Sequence, residues 1–148
     1  MTARLDRAFA EKFDAEHLLV FETACWSVLV RKGQVTLGSL VLAANRQFLS
    51  ASDLSLEEAA DFPRAVGRLE RALRKAFQYD KINYLCLMMV DAHYHFHVIP
   101  RYETQREFSG RSWTDTAWPA PPVLAMPPTD DAIVRAVADY LKQVDEAE

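Results

Sequence analysis

The sequence has little cysteine, no strongly basic surface and no long apolar run, and each shortage narrows the class of protein. Cys25 and Cys86 are too few and too far apart for a Cys-x-x-Cys metal knuckle. The formal net charge of -4 over 148 residues gives no sign of a nucleic-acid-coating protein. No apolar stretch is long enough to span a bilayer. We therefore expect a cytoplasmic protein with reduced thiols and without nucleic-acid or membrane partners.

The N-terminal segment MTARLDRAFAEKFD is charged and has a helical pattern, so it does not resemble a secretory signal. A short amphipathic helix is predicted from apolar residues at helical spacing. Residues 17–23 and 26–31 are predicted strands around a turn at 23–25, and residues 38–44 are a third strand. The helical stripe consists of Leu5, Ala8, Phe9 and Phe13.

A capping box at Ser55 and Glu58 predicts the start of a long helix that ends near residues 79–80. Pro63 is expected to kink this helix or to separate its first turns. The apolar run 82–90 is typical of a central strand covered on both faces. A very short connection at Asp91 and Ala92 should then lead into a second strand of a hairpin, HYHFHVIP, which Pro100 is expected to end.

The segment after Pro100 changes in character. Residues 101–128 contain Trp113 and Trp118, and six of the seven prolines fall between residues 100 and 128, which predicts a long irregular arm. Thr129 is the expected cap of a last amphipathic helix. The order of elements favours one α+β domain over residues 1–148, with a mainly antiparallel sheet of about five strands, a long helix and helices at both termini. Its core should span about residues 17–102, and residues 103–148 form the arm and last helix.

Three of the four histidines lie in the stretch HYHFHVI, at every second position. Side chains alternate between the two faces of a strand, so His93, His95 and His97 should share one face. Tyr94, Phe96 and Val98 should then point into the core. The pattern predicts a row of imidazoles on a rigid scaffold.

Such a row allows three interpretations. One imidazole can attack as a nucleophile while its neighbours donate hydrogen bonds to the developing anion. Alternatively, His-x-His on a strand can chelate zinc, with His17 or Asp91 as an additional ligand. The third possibility is a chance cluster on a solvated sheet face. Chemistry alone leaves the first two close to even.

The stretch HYHFHVI matches the His-φ-His-φ-His-φ-φ pattern, where φ is apolar, so the sequence resembles the histidine-triad (HIT) family. The layout of residues 17–102 is similar to that family as well. The resemblance implies a HIT-like fold, a homodimer, and a nucleotide-binding hydrolase or transferase. Members act on a phosphorus atom that carries a nucleoside, as in nucleoside phosphoramidates and dinucleoside polyphosphates.

The resemblance also implies roles for particular residues. His95 would be the nucleophile that forms a covalent nucleotidyl intermediate. His97 would hydrogen-bond the phosphate, and His93 would orient its neighbours through its ring nitrogens. Phe21 would form a wall of the base pocket together with Leu19 and Leu29, unless these three residues are ordinary core.

The sequence departs from the family pattern around the substrate. Arg31 stands where members carry an acidic residue or Asn that binds ribose, and Gln47 stands where a histidine is frequent. Met88-Met89-Val90 and Asp91 replace the phosphate-contacting Gly-Gln-Ser/Thr stretch. We therefore expect substituted substrate contacts among strand-end and loop residues, namely Arg31, Asn45, Arg46, Gln47 and Asp91.

The sequence predicts an enzyme that needs no cofactor and no metal, with Mg²⁺ as an optional companion of a polyphosphate substrate. A nucleotide-binding protein without turnover is the alternative, favoured by the missing Gly-Gln-Ser/Thr stretch. A histidine-cluster metal-binding module is the third possibility. Trp113 and Trp118 are expected either to reach the active site or partner subunit, or to pack on their own subunit.

Overall fold

The structure is a computed structural model that describes residues 4–147, so Met1 to Ala3 of the predicted N-terminal segment and Glu148 lie outside it. The strands of the main sheet are β1 Leu19–Glu22, β2 Trp26–Val30, β3 Leu40–Ala44, β4 Lys81–Leu85 and β5 His95–Arg101. Across the described residues, these five strands form an antiparallel sheet in the order β1-β2-β3-β5-β4. The predicted fold class is therefore confirmed.

Helices cover both faces of this sheet. The helices are α1 Arg7–Lys12, α2 Ala15–Leu18, α3 Leu56–Phe77 and α4 Asp131–Glu146, and residues Ala51–Asp53 form a 3₁₀ turn. Helices α3 and α4 pack on one face, where Val28, Leu42 and Val98 belong to the main core. Helix α1 packs on the other face, where Phe9 joins Leu29 and Val41 in a smaller apolar cluster. Because side chains alternate along each strand, residues adjacent in sequence serve opposite clusters.

The predicted long helix and its capping box are present. The Ser55 hydroxyl accepts a hydrogen bond from the Glu58 amide, and the Glu58 carboxylate accepts one from the Ser55 amide. The helix is continuous from Leu56 to Phe77 and does not split at Pro63. Residues beyond the proline, among them the fully buried Leu69 and Leu73, anchor the helix on the sheet and offset the local cost of the proline.

The first strand begins later than predicted. Residues Ala15–Leu18, which include His17, form the single turn α2, and β1 begins at Leu19. Asp14 precedes this turn with a φ of 54°, in the left-handed region, and its carboxylate lies 2.8 Å from Nδ1 of His17. The chain therefore changes direction at Asp14 and forms a helical turn where the strand was predicted to start. The pattern of apolar residues does not encode this change.

The apolar run 82–90 is not a central strand. Its first part forms β4, which lies at the edge of the sheet beside β5, and the chain leaves the sheet after Leu85. Residues 86–94 form the connection to β5, so the hairpin is present but its loop is long. The loop is strongly apolar and open to solvent, with Met89 84% and Val90 87% exposed. The composition of the run indicated burial that the tertiary structure does not provide.

Pro100 does not end the last strand either. Strand β5 continues to Arg101, with Pro100 opposite Ile82 on β4. The Pro100 carbonyl accepts a hydrogen bond from the Thr36 hydroxyl, on the side away from β4. The nitrogen of the same residue points to that side as well, where the β3 ladder has already ended at Val98. The missing N–H therefore removes no hydrogen bond from the β4–β5 ladder.

The arm contains more structure than predicted. Arg106–Phe108 and Arg111–Trp113 form a small hairpin, β6 and β7. Trp113 is buried in the core of its own subunit, as one of the two predicted alternatives had it. A buried ion pair between Arg101 and Asp115, with Nε and Oδ2 2.7 Å apart, anchors the segment that follows.

The last helix is capped by Asp130, which accepts a hydrogen bond from the Ala132 amide, and not by Thr129. The Thr129 hydroxyl instead accepts one from the Gln34 amide, and its own amide donates to the Lys32 carbonyl. Thr129 therefore fastens the end of the arm to the turn between β2 and β3. This attachment brings the arm to the histidine face of the sheet.

Candidate functional site

A cleft of about 650 Å³ opens on the histidine face of the sheet. Its walls come from the end of α1, the β2–β3 turn, the 86–94 loop, strands β3 and β5 and the arm. Both apolar and cationic side chains line it. The lining residues are Lys12, Phe13, Arg31, Lys32, Gly33, Val41, Leu87, Met88, Met89, Val90, Asp91, His95, His97, Leu124, Ala125, Met126 and Pro128.

His95 lines this cleft and is fixed by the backbone of its own chain. Its Nδ1 lies 2.5 Å from the carbonyl oxygen of His93. Because a carbonyl can only accept a hydrogen bond, Nδ1 carries the proton and Nε2 keeps a free lone pair. The hydrogen bond thus selects the tautomer in which Nε2 can act as a nucleophile.

His97 is the second histidine of the cleft, with its ring centroid 5.2 Å from that of His95 and the two rings nearly perpendicular. Nε of Arg31 donates a hydrogen bond to Nδ1 of His97 over 3.3 Å. Burial, followed by the charges of Arg31 and His95, lowers the pKa of His97 to about 4. At neutral pH His97 is therefore uncharged, and its Nε2–H is available as a donor to a substrate oxygen.

His93 has a structural position outside the cleft. It precedes β5, is 4% exposed, and its ring lies against Phe9 with centroids 4.3 Å apart. Its Nε2 donates to the Ala44 carbonyl over 2.6 Å, and burial lowers its pKa. Its Nδ1 has no hydrogen-bond partner within residues 4–147. The predicted orienting role of its ring nitrogens is therefore wrong with respect to His95, which the His93 backbone carbonyl orients.

Two lysines add positive charge to the cleft. Lys12 at the end of α1 forms an ion pair with Asp91 of the 86–94 loop, and Nζ of Lys32 donates to the Lys12 carbonyl over 3.1 Å. The Lys12 side chain is 60% exposed, so its ion pair leaves it accessible to a ligand. Together with Arg31, these lysines make the cleft suited to an anionic ligand.

Of the predicted base-pocket residues, none lines the cleft. A β-bulge between Leu19 and Phe21 places Phe21 opposite Val28, on the face that α3 and α4 cover. There the guanidinium of Arg68 stacks on the Phe21 ring at 4.1 Å. Leu19 and Leu29 do lie on the histidine face, but they pack beneath α1 in the smaller apolar cluster. The prediction for these three residues is therefore corrected to core packing.

Of the predicted substitute contacts, Arg31 and Asp91 reach the cleft, whereas Asn45, Arg46 and Gln47 do not. Asn45 is buried and accepts a hydrogen bond from the Ser27 hydroxyl over 2.6 Å. Arg46 forms an ion pair with Glu58 at the start of α3. Gln47 donates to the Ala92 carbonyl over 2.5 Å and so braces the chain before the histidines. These residues hold the scaffold together.

Three parts of the cleft wall were not predicted from the sequence, namely Phe13, Lys12 and residues 124–128. The ring of Phe13 lies flat on that of Phe9, with centroids 4.1 Å apart, and its centroid is 6.2 Å from that of His95. Phe13 is the last residue of the apolar stripe predicted for the N-terminal helix. Its position at the end of that stripe is the sequence feature that could have indicated this wall of the cleft. The contact of the arm depends on long-range hydrogen bonds and has no local signal.

Among residues 4–147 no group of three His, Cys, Asp or Glu side chains converges on a point that could hold a metal ion. The ring of His93 is turned to the Ala44 carbonyl and Phe9, and His17 pairs with Asp14. Of the two extra ligands considered with the sequence, His17 therefore lies outside the cleft, whereas Asp91 lines the cleft but is paired with Lys12. In addition, no helix in this part of the chain is long and apolar enough to cross a membrane.

Comparison with known proteins identifies the family and the fold. The HIT domain profile matches residues 13–104, and the chain therefore belongs to the histidine-triad (HIT) family. A search of curated protein sequences gives no significant match.

Solved structures with the same fold include a hypothetical histidine triad nucleotide-binding protein of Sulfolobus tokodaii, with a TM-score of 0.70, 16% identity, and coverage of 95% of this chain and 92% of the other. A histidine triad protein of Marinobacter aquaeolei has a TM-score of 0.70, 21% identity, and coverage of 93% and 94%. A zinc-bound histidine triad family protein of Mycobacterium smegmatis has a TM-score of 0.59, 17% identity, and coverage of 95% and 96%.

Proposed function

We propose that the protein is a nucleotide hydrolase or nucleotidyl transferase that works through a covalent nucleotidyl-histidine intermediate at His95. One observation carries the proposal: the hydrogen bond from Nδ1 of His95 to the His93 carbonyl, which in the neutral imidazole places the proton on Nδ1 and the lone pair on Nε2, in a cleft that His97 also lines. A nucleophile needs a free lone pair held in a fixed direction, and this hydrogen bond supplies both. The substrate is a nucleoside phosphoramidate or a dinucleoside polyphosphate.

The reaction has two displacements at phosphorus. The Nε2 lone pair of His95 attacks, the bond from phosphorus to the leaving nitrogen or oxygen breaks, and the leaving group keeps the electron pair and takes up a proton. Water, or another acceptor in a transferase, then attacks the same phosphorus and loses a proton, and the electrons of the N–P bond return to Nε2. His97 donates through Nε2–H to a phosphoryl oxygen in both steps.

The charges of the cleft support a phosphate ligand. Lys12, Lys32 and Arg31 lie in the cleft beside the two histidines, where the family's Gly-Gln-Ser/Thr stretch is replaced by Met88, Met89 and Val90. Cationic side chains can take over phosphate binding from backbone and hydroxyl donors. We expect Mg²⁺ to be needed only where a polyphosphate carries additional charge.

The test is a search for the intermediate by intact-protein mass spectrometry. The protein is mixed with a panel of nucleoside phosphoramidates and dinucleoside polyphosphates and quenched in mild base, which preserves a phosphorus–imidazole bond. We expect a mass increase of one nucleotidyl group, which is a nucleoside monophosphate less one water, on the wild type and none on His95→Ala. Release of product should fall by at least about 10³-fold in the variant.

Two controls separate chemistry from folding. His17→Ala removes a histidine outside the cleft and should retain the adduct, and circular dichroism should show that His95→Ala keeps its fold. If the His95→Ala variant turns over as fast as the wild type, the nucleophile is assigned wrongly. If folded wild type gives neither adduct nor product across the panel, the enzymatic proposal fails.

A nucleotide-binding protein without turnover is the second candidate, and the 86–94 loop favours it. This loop presents exposed apolar side chains, Leu87, Met89 and Val90, where the family has phosphate donors. Binding of a nucleoside monophosphate measured by calorimetry, together with absence of product over hours, would establish this function. Loss of binding in Lys12→Ala would then place the phosphate in the cleft.

A metal-binding function is the weakest of the three, because the described residues assemble no three-ligand group. The zinc-bound relative of Mycobacterium smegmatis makes the measurement worthwhile. Elemental analysis of untagged protein decides it: stoichiometric zinc that is lost in His95→Ala would replace the nucleophilic role with a ligand role.

We further propose a cytoplasmic homodimer. Strand β4 lies at the sheet edge, where a second copy of the chain can pair, and both Cys25 and Cys86 are free thiols, as expected of a reducing compartment. Sedimentation at micromolar concentration tests the dimer: a single species of 16.8 kDa would contradict it.

A further inference from the structure

We propose that Arg31 is a positioning residue that holds His97 in its Nε2–H tautomer and ties this state to the end of the arm. The functional meaning rests on the proposed function, because a fixed Nε2–H matters when His97 must donate to a phosphoryl oxygen. Arg31 was expected from the sequence to contact the substrate. The hydrogen bonds it makes indicate a further role beside the positive charge that it adds to the cleft.

The guanidinium of Arg31 donates to three acceptors of its own chain. Nε donates to Nδ1 of His97 over 3.3 Å, Nη1 to the Gly33 carbonyl over 2.6 Å, and Nη2 to the Leu124 carbonyl over 3.1 Å. A guanidinium has donors and no acceptor, so Nδ1 of His97 must accept and its proton resides on Nε2. The three donors of one planar group thus join strand β5, the β2–β3 turn and the arm.

The turn is shaped to receive this guanidinium. A Cβ atom added to Gly33 would lie 2.9 Å from Nη1 of Arg31 and 3.2 Å from Cγ of Met126. Any side chain at position 33 would therefore displace either the guanidinium or the arm. Glycine at this position leaves the room that the close approach of Arg31 requires.

The contact also excludes the charged form of His97. A protonated Nδ1 would point its hydrogen at the N–H of Arg31, so that two donors and two positive charges would face each other. The other charged or titratable groups around the His97 ring are His95 on β5 and Asp91 in the 86–94 loop, and Lys12 and Lys32 line the same cleft. Among these, Arg31 alone makes a directed hydrogen bond to the His97 ring.

A consequence follows for the range of pH over which the site works. With Arg31 in place, His97 remains a neutral donor down to the pKa of about 4 that burial and the neighbouring cations impose. A lysine at position 31 keeps the charge but has no planar fork that could reach three acceptors at once. We expect Arg31→Lys to free the His97 ring to exchange tautomers and, because the N–H that faces Nδ1 is withdrawn, to raise the pKa of His97 above about 4, while burial still holds it below the ordinary 6.5.

The test uses protein labelled with ¹⁵N in its histidines and needs no substrate. Long-range ¹H–¹⁵N spectra distinguish the two tautomers, and a titration gives each pKa; the His97 signals are assigned by their loss in His97→Gln. We expect the wild type to show Nε2–H alone at His97 and Nδ1–H at His95. In Arg31→Lys the His97 signals should become a mixture, whereas those of His95, held by a backbone carbonyl, should not change.

A second variant retains the arginine and displaces it. Gly33→Ala should produce the same changes at His97 as Arg31→Lys, to a smaller extent, because the added Cβ moves Nη1. Arg64→Lys, an equivalent substitution at an exposed position of α3, should change neither tautomer nor pKa. If His97 keeps one tautomer and a low pKa in both variants near the cleft, Arg31 does not position it and the inference is overturned.

The design separates this inference from the proposed function. If the spectra behave as expected but no substrate reacts, the enzymatic proposal fails and the role of Arg31 in setting the tautomer remains. If the protein is active, the acid limb of kcat/KM should move to higher pH in Arg31→Lys by the shift seen in the titration. An unchanged limb together with a shifted His97 pKa would show that the tautomer does not serve catalysis.

Discussion

The two faces of the central sheet differ in what covers them. On one face, α3 and α4 enclose a large aromatic core, and residues such as Trp26 and Leu73 have no exposed surface. On the other, the six-residue helix α1 covers part of the sheet, and the remainder is the open cleft with His95 and His97. Strand β5 therefore packs the core with one set of side chains and lines the cleft with the other. Different side chains of one strand thus stabilise the fold and face the proposed site.

The two environments can be tested by removing the same side-chain atoms from the core and from the cleft. Leu73→Ala truncates a side chain with no exposed surface beneath α3, and Leu87→Ala truncates one that is 50% exposed at the cleft. We expect Leu73→Ala to lower the free energy of unfolding by about 2–5 kcal/mol and Leu87→Ala by less than about 1 kcal/mol. Urea denaturation measures both. Similar losses would show that the 86–94 loop is packed in solution.

A second comparison concerns aromatic residues. Phe13 lines the cleft, and Phe62 packs edge-on against Trp26 in the main core with centroids 5.1 Å apart. If the base of a nucleotide stacks on Phe13, Phe13→Ala should weaken binding about tenfold, within the roughly 1–3 kcal/mol of a stacked base. Phe62→Ala should lower stability and leave the affinity of the folded protein unchanged. Calorimetry with a nucleoside monophosphate separates the two, and equal affinities in all three proteins would remove Phe13 from the base site.

The smallest effect is the pH dependence of stability. The folded pKa of His97 is about 4, compared with an ordinary value of 6.5. As pH falls from 6.5 to 4, the unfolded chain binds a proton that folded His97 does not, so the free energy of unfolding decreases.

Because the ring is partly open to the cleft, this decrease should be on the order of 1 kcal/mol. His97→Gln should remove it, and denaturation at pH 7 and pH 4.5 measures the difference. Identical losses of stability in the wild type and the variant would contradict the low pKa.

Local sequence patterns predicted the parts of the fold that depend on near neighbours. The capping box at Ser55 fixed the start of α3, and the alternation of residues 95–98 assigned the faces of β5. The prediction of a central strand over residues 82–90 was wrong because the composition of a strand does not show whether it lies at the centre or the edge of a sheet. That outcome depends on β3 and β5 pairing with each other, although Leu40 and its partner Val98 are far apart in the sequence.

The same limit applies to the site. The spacing of the histidines predicted that His95 and His97 share one face, and both line the cleft, as does Arg31, where the sequence departs from the family pattern. Phe21 was misplaced because a single bulged residue reverses the alternation between Leu19 and Phe21. The part of the arm that lines the cleft, residues 124–128, was not predicted, because its position depends on hydrogen bonds between Thr129 and residues 32 and 34, nearly a hundred positions earlier.

The carbonyl that orients His95 belongs to the backbone and would be present with any residue at position 93. The position of this carbonyl depends on the adjacent segment of the same chain. The His93 ring donates to the Ala44 carbonyl, the Tyr94 carbonyl accepts from the Ala44 amide, and the Tyr94 amide donates to the Phe48 carbonyl. The seven-residue motif is consequently not a portable unit. A designer who wished to transfer His95 in this orientation to another protein would have to transfer β3 and its extension to Phe48 together with β5. Without them, the hydrogen bond that orients the imidazole would be lost.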